Sequence, residues 1–186
     1  MCKRNPVPEA FTLIVLTAAT ALLAAEPGAR QQPRYLDAAK AYADAMLKEG
    51  RDTYGTEPSP LFAAALDRKT LKIGAFGDIP GIRNSDRSLG GANPQTDVQL
   101  YALLYDLTAL TGEKKYADGA DQALAFFFAH GQSSQTGLMA WGEHLFWDFA
   151  KEAVNEPDGK HEIGGEWPFW DTCYRYAPDA CWKFAI

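Results

Sequence analysis

Two stretches of helical periodicity lie back to back between Pro94 and His130, separated only by Thr111-Gly112. In the first, Val98, Tyr101, Ala102, Tyr105, Leu107 and Leu110 supply a packed side. In the second, running from Glu113 to His130, Tyr116, Ala120, Ala123, Leu124 and Phe127 do the same. Apolar residues three and four positions apart share one face of a helix. A glycine just past the last periodic residue ends the first helix, because it takes a left-handed backbone without a Cβ penalty. Two helices of similar length on so short a link fold back as an antiparallel αα-hairpin. A hairpin of this kind leaves apolar surface that further elements must cover, which points to helix-on-helix architecture and an all-α class.

The same periodicity predicts a helix from Pro33 to Gly50, with Leu36, Ala39, Ala43, Met46 and Leu47 on one face. Gly55, Pro58 and Pro60 make residues 51–60 a loop. Leu61 to Ile73 reads equally as helix or extended chain. Residues 74–95 hold five Gly and two Pro, the composition of a long irregular loop; loops of that length are functional more often than idle. A further helix is predicted from Gly142 to Val154. A short one follows Pro178, a good first-turn residue, with Asp179 favouring the helix N-terminus. That last amphipathic stretch reaches Ile186 with no cap or breaker, so the chain is expected to be part of a longer protein.

The N-terminus is a separate object. Lys3 and Arg4 precede an uncharged run from Phe11 to Ala25, followed by Glu26-Pro27-Gly28. A short basic region, an apolar stretch and small residues at its end form the pattern of a secretory signal, expected over residues 1–25. The run is shorter than the ~20 residues that span a bilayer, so no stable membrane span is expected once the signal is removed; a membrane anchor and a buried helix are the alternatives. Export places residues 26–186 in the periplasm or outside the cell. Cys2 then leaves with the signal, and Cys173 and Cys181 remain either to pair in an oxidising compartment or to stay as two buried thiols. The chain lacks Cys-x-x-Cys, so a structural zinc site is not supported. With 18 basic and 24 acidic side chains, a net charge of −6, it is not a nucleic-acid binder, which needs a basic patch against phosphate.

All five tryptophans (141, 147, 167, 170 and 182) fall in the last 46 residues. Sugar rings present apolar faces to aromatic planes, so a cleft lined in this way suits carbohydrate; most of these rings are nonetheless expected in the core. Among them lie polar candidates. Trp141-Gly-Glu-His-Leu-Phe-Trp-Asp148 puts Glu143 and His144 at the start of the predicted helix, with Asp148 one turn on from His144. His161-Glu162 follows, then Glu166 and Asp171. Imidazole and carboxylate together can hold a divalent cation, or they hydrogen-bond to each other in a polar pocket. His161-Glu162 is not a His-Glu-x-x-His site, because Gly165 stands at the second histidine position. Asp148 and Asp171 are candidates for a glycosidase carboxylate pair. Within Arg83-Asn84-Ser85-Asp86-Arg87, Arg83 offers a guanidinium fork to an acidic sugar, although Asp86 pairing its neighbours in a turn is the stronger reading. No phosphate loop and no Gly-x-Ser-x-Gly elbow are present.

Four stretches together resemble the helical-toroid pectate lyases of polysaccharide lyase family 2. They are Asp52-Thr-Tyr-Gly-Thr-Glu-Pro-Ser-Pro-Leu-Phe62 with Leu66-Asp67, and the Thr111-Gly112 hairpin leading into Tyr116 and Ala120. The third is Trp141 to Asp148, and the fourth joins His161-Glu162, Pro168-Phe-Trp and Tyr176-Ala-Pro-Asp-Ala. The resemblance spans roughly residues 33–186 and implies the N-terminal part of an (α/α) toroid, incomplete in this chain and built from helical hairpins. It implies β-elimination on pectate, an acidic polysaccharide, assisted by a divalent metal: manganese first, with calcium or another transition metal as alternatives. His144 resembles the family's first histidine ligand and Glu162 its glutamate ligand, while the second histidine and the arginine base are expected beyond Ile186. Trp141, Trp170, Arg83 and Asp148 are the candidate substrate contacts. A glycoside hydrolase on the same toroid and a non-catalytic carbohydrate-binding remnant are the other readings.

Overall fold

The computed structural model describes residues 32–74, 88–132, 137–142, 144–155 and 166–186. Its contacts divide the chain into Met1–Ala38 and Ala39–Ile186. Of the first unit, the opening turns of helix α1 (Gln32–Glu49) are described; the core belongs to the second. The expected signal segment lies outside the described residues.

Within the second unit α1 buries Ala43 and Met46, as its periodicity predicts. The hairpin is present as α2 (Val98–Thr111) and α3 (Lys115–His130). Gly112 joins them at φ 76°, and its N–H donates to Thr108 O. Thr108 fastens the turn from inside: its hydroxyl donates to Glu113 O and accepts from Ala117 N–H, both at 2.9 Å. Leu104, which the predicted face omitted, is buried; Tyr101, Leu107, Tyr116, Ala120, Ala123, Leu124 and Phe127 are buried with it, matching the predicted faces. Leu110 does not; at 74% exposed, it has turned to solvent in the last turn of α2. Ion pairs of Lys40 with Glu113 and of Lys115 with Asp44 link α1 to the hairpin turn; all four side chains are partly exposed, so each pair adds little stability.

The all-α expectation needs correction. Three two-residue strands, β1 (Gly91–Ala92), β2 (Trp147–Asp148) and β3 (Ala153–Val154), form an antiparallel sheet in that order. Gly91 faces Asp148, and Trp147 faces Val154. The helix predicted over 142–154 is therefore a loop, a strand, a turn and a strand. Glu152 in that turn has φ 53°, a left-handed backbone that interrupts any helix. Two further helices were only half foreseen. Helix α4 (Trp170–Tyr176) has no strong signal in the sequence, whereas α5 (Pro178–Ala185) begins at the predicted proline.

Asp121 on α3 joins three helices. One carboxylate oxygen accepts from Tyr105 on α2 at 2.7 Å, and the other from Tyr176 on α4 at 2.9 Å. Phe127, Phe128, Trp141, Trp167, Trp170 and Phe184 form a continuous aromatic cluster against α4 and α5. Trp141, Trp147 and Trp167 are thus core, as their size favours, whereas Trp170 and Trp182 are exposed. Cys173 and Cys181 are free thiols in this structure, both buried, and burial pushes the Cys173 thiol up to about 12. Five helices, two of them the hairpin, together with the small sheet make up the described fold, about half of which is helical.

Candidate active site

Gly142 and residues 144–146 have no regular structure, yet two asparagines just past the strand ends hold their carbonyls. Asn93, just past β1, is fully buried. Its Nδ2 donates to Gly142 O at 2.7 Å and to Leu145 O at 3.1 Å. Asn155, just past β3, works from the other side. Its Nδ2 donates to His144 O at 3.0 Å, its Oδ1 accepts from Phe146 N–H at 2.8 Å, and its own N–H donates to Phe146 O at 3.0 Å. A buried backbone outside a helix or sheet must find partners elsewhere, and here carboxamides supply them. Asn93 Oδ1 is buried and finds no hydrogen-bond partner among the described residues.

His144 sits in this held segment, half-buried. Asp148 does not share a helix face with it. Its carboxylate accepts from Ala150 N–H and Lys151 N–H at 3.0 Å each, closing the β2–β3 turn, with Lys151 Nζ 3.5 Å away. Short side chains that bond the backbone two and three residues on are a turn device, so Asp148 is engaged in the fold rather than presented to a sugar. Trp141 is only 4% exposed and packs against Phe127, Trp167 and Phe184; its rings are core, and the sugar-stacking role expected of it has no open face. Trp170 differs. It is 37% exposed and lines, with Asp171, Tyr174, Trp182 and Phe184, a cavity of about 510 Å³. Trp141 and Trp170 touch at 6.3 Å between ring centroids, so the core tryptophan supports the exposed one.

Arg83, Glu143, His161 and Glu162 lie outside the described residues. The metal pair is accordingly represented by His144 alone. Among the described residues no three His, Cys, Asp or Glu side chains gather as a cation site. What the structure contributes toward a metal is a histidine whose backbone is held by hydrogen bonds on both sides. An imidazole with a carboxylate is a donor set for a divalent transition metal.

Some structural residues near this region escape a sequence reading. Glu152 accepts from Thr56 N–H, from the Thr56 hydroxyl at 2.9 Å and from Glu57 N–H at 2.8 Å, tying the β2–β3 turn to the 52–57 loop. These donors, Glu57 N–H first, hold its carboxyl below the usual range. Asp52, 1% exposed, shapes that loop by accepting from Ser59 Oγ at 2.7 Å and from Tyr54 N–H at 3.2 Å. Asp97, ahead of α2, lines a second cavity with Tyr42, Met46 and Leu100, and burial raises its carboxyl to about 7. Only Asn93 carries a sequence signal, the Asn-Pro dipeptide of a turn.

A family model described as periplasmic pectate lyase matches residues 59–185. The match contains the hairpin, the Asn93–Asn155 brackets, His144 and Trp170. A periplasmic description agrees with the export expected from the N-terminus. The chain belongs to the periplasmic pectate lyase family.

Proposed function

We propose that this protein is a pectate lyase that cleaves polygalacturonate or oligogalacturonate by β-elimination with the help of a divalent cation. The family match over residues 59–185 is the observation that carries this reading. In the reaction a base removes the proton on C5 of a uronate. The C–H electron pair becomes the C4=C5 double bond, the C4–O bond breaks, and the leaving oxygen takes up a proton. Charge accumulates on the uronate carboxylate as the C5 proton leaves, and that charge is what the site must stabilise.

His144 and Glu162 would hold the cation, manganese before calcium, and when bound it supplies charge neutralisation at the substrate carboxylate. His144 brings an imidazole on a backbone that does not have to be ordered at the moment of binding. Arg83 offers a two-pronged fork to a neighbouring uronate carboxylate. Trp170, supported from below by Trp141, offers a plane to the apolar face of a sugar ring. No residue of this chain is assigned as the base. Residues 1–25 act as the export signal, and residues 26–186 belong to the N-terminal part of an (α/α) toroid.

The test is polygalacturonate cleavage by the product of the intact gene, with manganese and with a chelator. Cleavage is expected to stop on chelation and to return when manganese is restored. Glu162→Ala is expected to abolish both manganese binding and cleavage. Unchanged manganese affinity in Glu162→Ala would reject the ligand assignment, and cleavage indifferent to the chelator would reject the metal.

A further inference from the structure

We infer that Asn93 and Asn155 are positioning residues for His144, a carboxamide clamp that fixes the direction of its imidazole. The inference deepens the pectate lyase reading and rests on it for the role of His144. Four carbonyls of one irregular segment, those of Gly142, His144, Leu145 and Phe146, each receive a hydrogen bond from one of these two asparagines. The clamp grips on both sides of the histidine: Asn93 at Gly142 and Leu145, Asn155 at His144 itself and at Phe146.

Asparagine suits the task for a chemical reason. Its NH₂ has two donors and its oxygen is an acceptor, so one side chain can bridge two backbone groups. Asn93 uses both donors on carbonyls that are not adjacent, which pins the segment between them. Asn155 accepts from Phe146 N–H with its Oδ1, donates its main-chain N–H to Phe146 O, and spends its NH₂ on His144 O. The strands do the rest. Asn93 follows β1 and Asn155 follows β3, and both strands pair with β2, which continues directly from the held segment. A sheet of three two-residue strands is short as a structural element, but it brings two distant asparagines to the two sides of one histidine.

Replacing either asparagine by aspartate keeps the shape and removes the donors. Asn155→Asp loses the bond to His144 O while retaining the acceptor for Phe146 N–H. Partners of a metal-binding histidine's ring are worth ~10–100-fold in metal affinity; Asn155 acts on the backbone of His144, and a loss at the lower end, ~10-fold, is expected on calorimetric titration of Asn155→Asp with manganese.

A second readout needs no metal. The chain has three histidines, and the His144 side-chain signal in a ¹⁵N spectrum is assigned as the one lost in His144→Gln. In metal-free Asn155→Asp that signal is expected to shift or broaden while those of His130 and His161 stay in place. Asn93→Asp, at a buried site, is expected to do the same more severely. Should it fail to fold, Asn155→Asp still decides the matter. An unmoved His144 signal together with unchanged manganese affinity overturns the clamp. If His144→Gln binds manganese as the wild type does, the ligand reading of His144 fails; a shifted His144 signal in Asn155→Asp would then still uphold the clamp.

Discussion

Asp97 is a carboxyl group whose behaviour the fold changes strongly. Burial raises it from the ordinary 3.8 to about 7, because the charged form loses water beside Tyr42, Met46 and Leu100. In the folded chain it keeps its proton through a range where an unfolded aspartate has released one. Stability therefore falls as pH rises between those two values and levels off above about 7. Asp97→Asn removes this group from titration. The variant is expected to melt with a flatter pH profile across that window, and above it to exceed the wild type by roughly 1–3 kcal/mol. Parallel melting profiles for the two proteins would contradict the assignment. The two touching tryptophans separate in the same way. Trp141→Ala leaves a hole in the core and is expected to cost roughly 3–5 kcal/mol, whereas Trp170→Ala is expected to raise KM for polygalacturonate with little change in melting temperature. Sequence alone marked both as sugar contacts; burial at 4% against 37% tells them apart, and burial depends on which neighbours the chain brings to each ring.

At the scale of elements, the hairpin was legible because everything that specifies it is local. Face periodicity, the Gly112 stop and the Thr108 bonds all lie within two adjacent helices. Thr108→Val deletes the hydroxyl that both donates to Glu113 O and accepts from Ala117 N–H. Its expected cost is roughly 1–3 kcal/mol, read from denaturant melts. The sheet was not legible. Each strand is two residues long, too short for a period, and β1 pairs with a β2 far along the chain. The Gly142–Val154 stretch has enough helical character to suggest a helix, but pairing with distant partners overrides local preference. Gly91 is the residue that permits this pairing: a Cβ there would lie 1.9 Å from Trp147 O. Gly91→Ala is therefore expected to destabilise more than Thr108→Val, by roughly 2–4 kcal/mol, and to disturb the His144 segment through Asn93. A Gly91→Ala protein as stable as the wild type would show that β1 does not pair with β2 in solution.

Across the whole molecule, chemistry and charge pull in different directions. A chain of net charge −6 acts, on the reading proposed here, on a polyanion. On that reading, the proposed Arg83 fork and the proposed cation at His144 and Glu162 supply the local attraction that overcomes long-range repulsion. Aromatic stacking at Trp170 adds attraction that does not depend on charge. What the sequence disclosed at this scale was the family, through stretches that also hold the loops and the hairpin in order. It disclosed less of the site, because the groups that hold His144 are asparagines after unrelated strands, a placement that exists only once the sheet has formed. The measurement that bears most directly on the function is the ultraviolet spectrum of polygalacturonate digested by the product of the intact gene with manganese. Pectate lyase chemistry predicts rising absorbance from an unsaturated uronate, in step with new reducing ends. New reducing ends without that absorbance would mean hydrolysis and would contradict the lyase assignment.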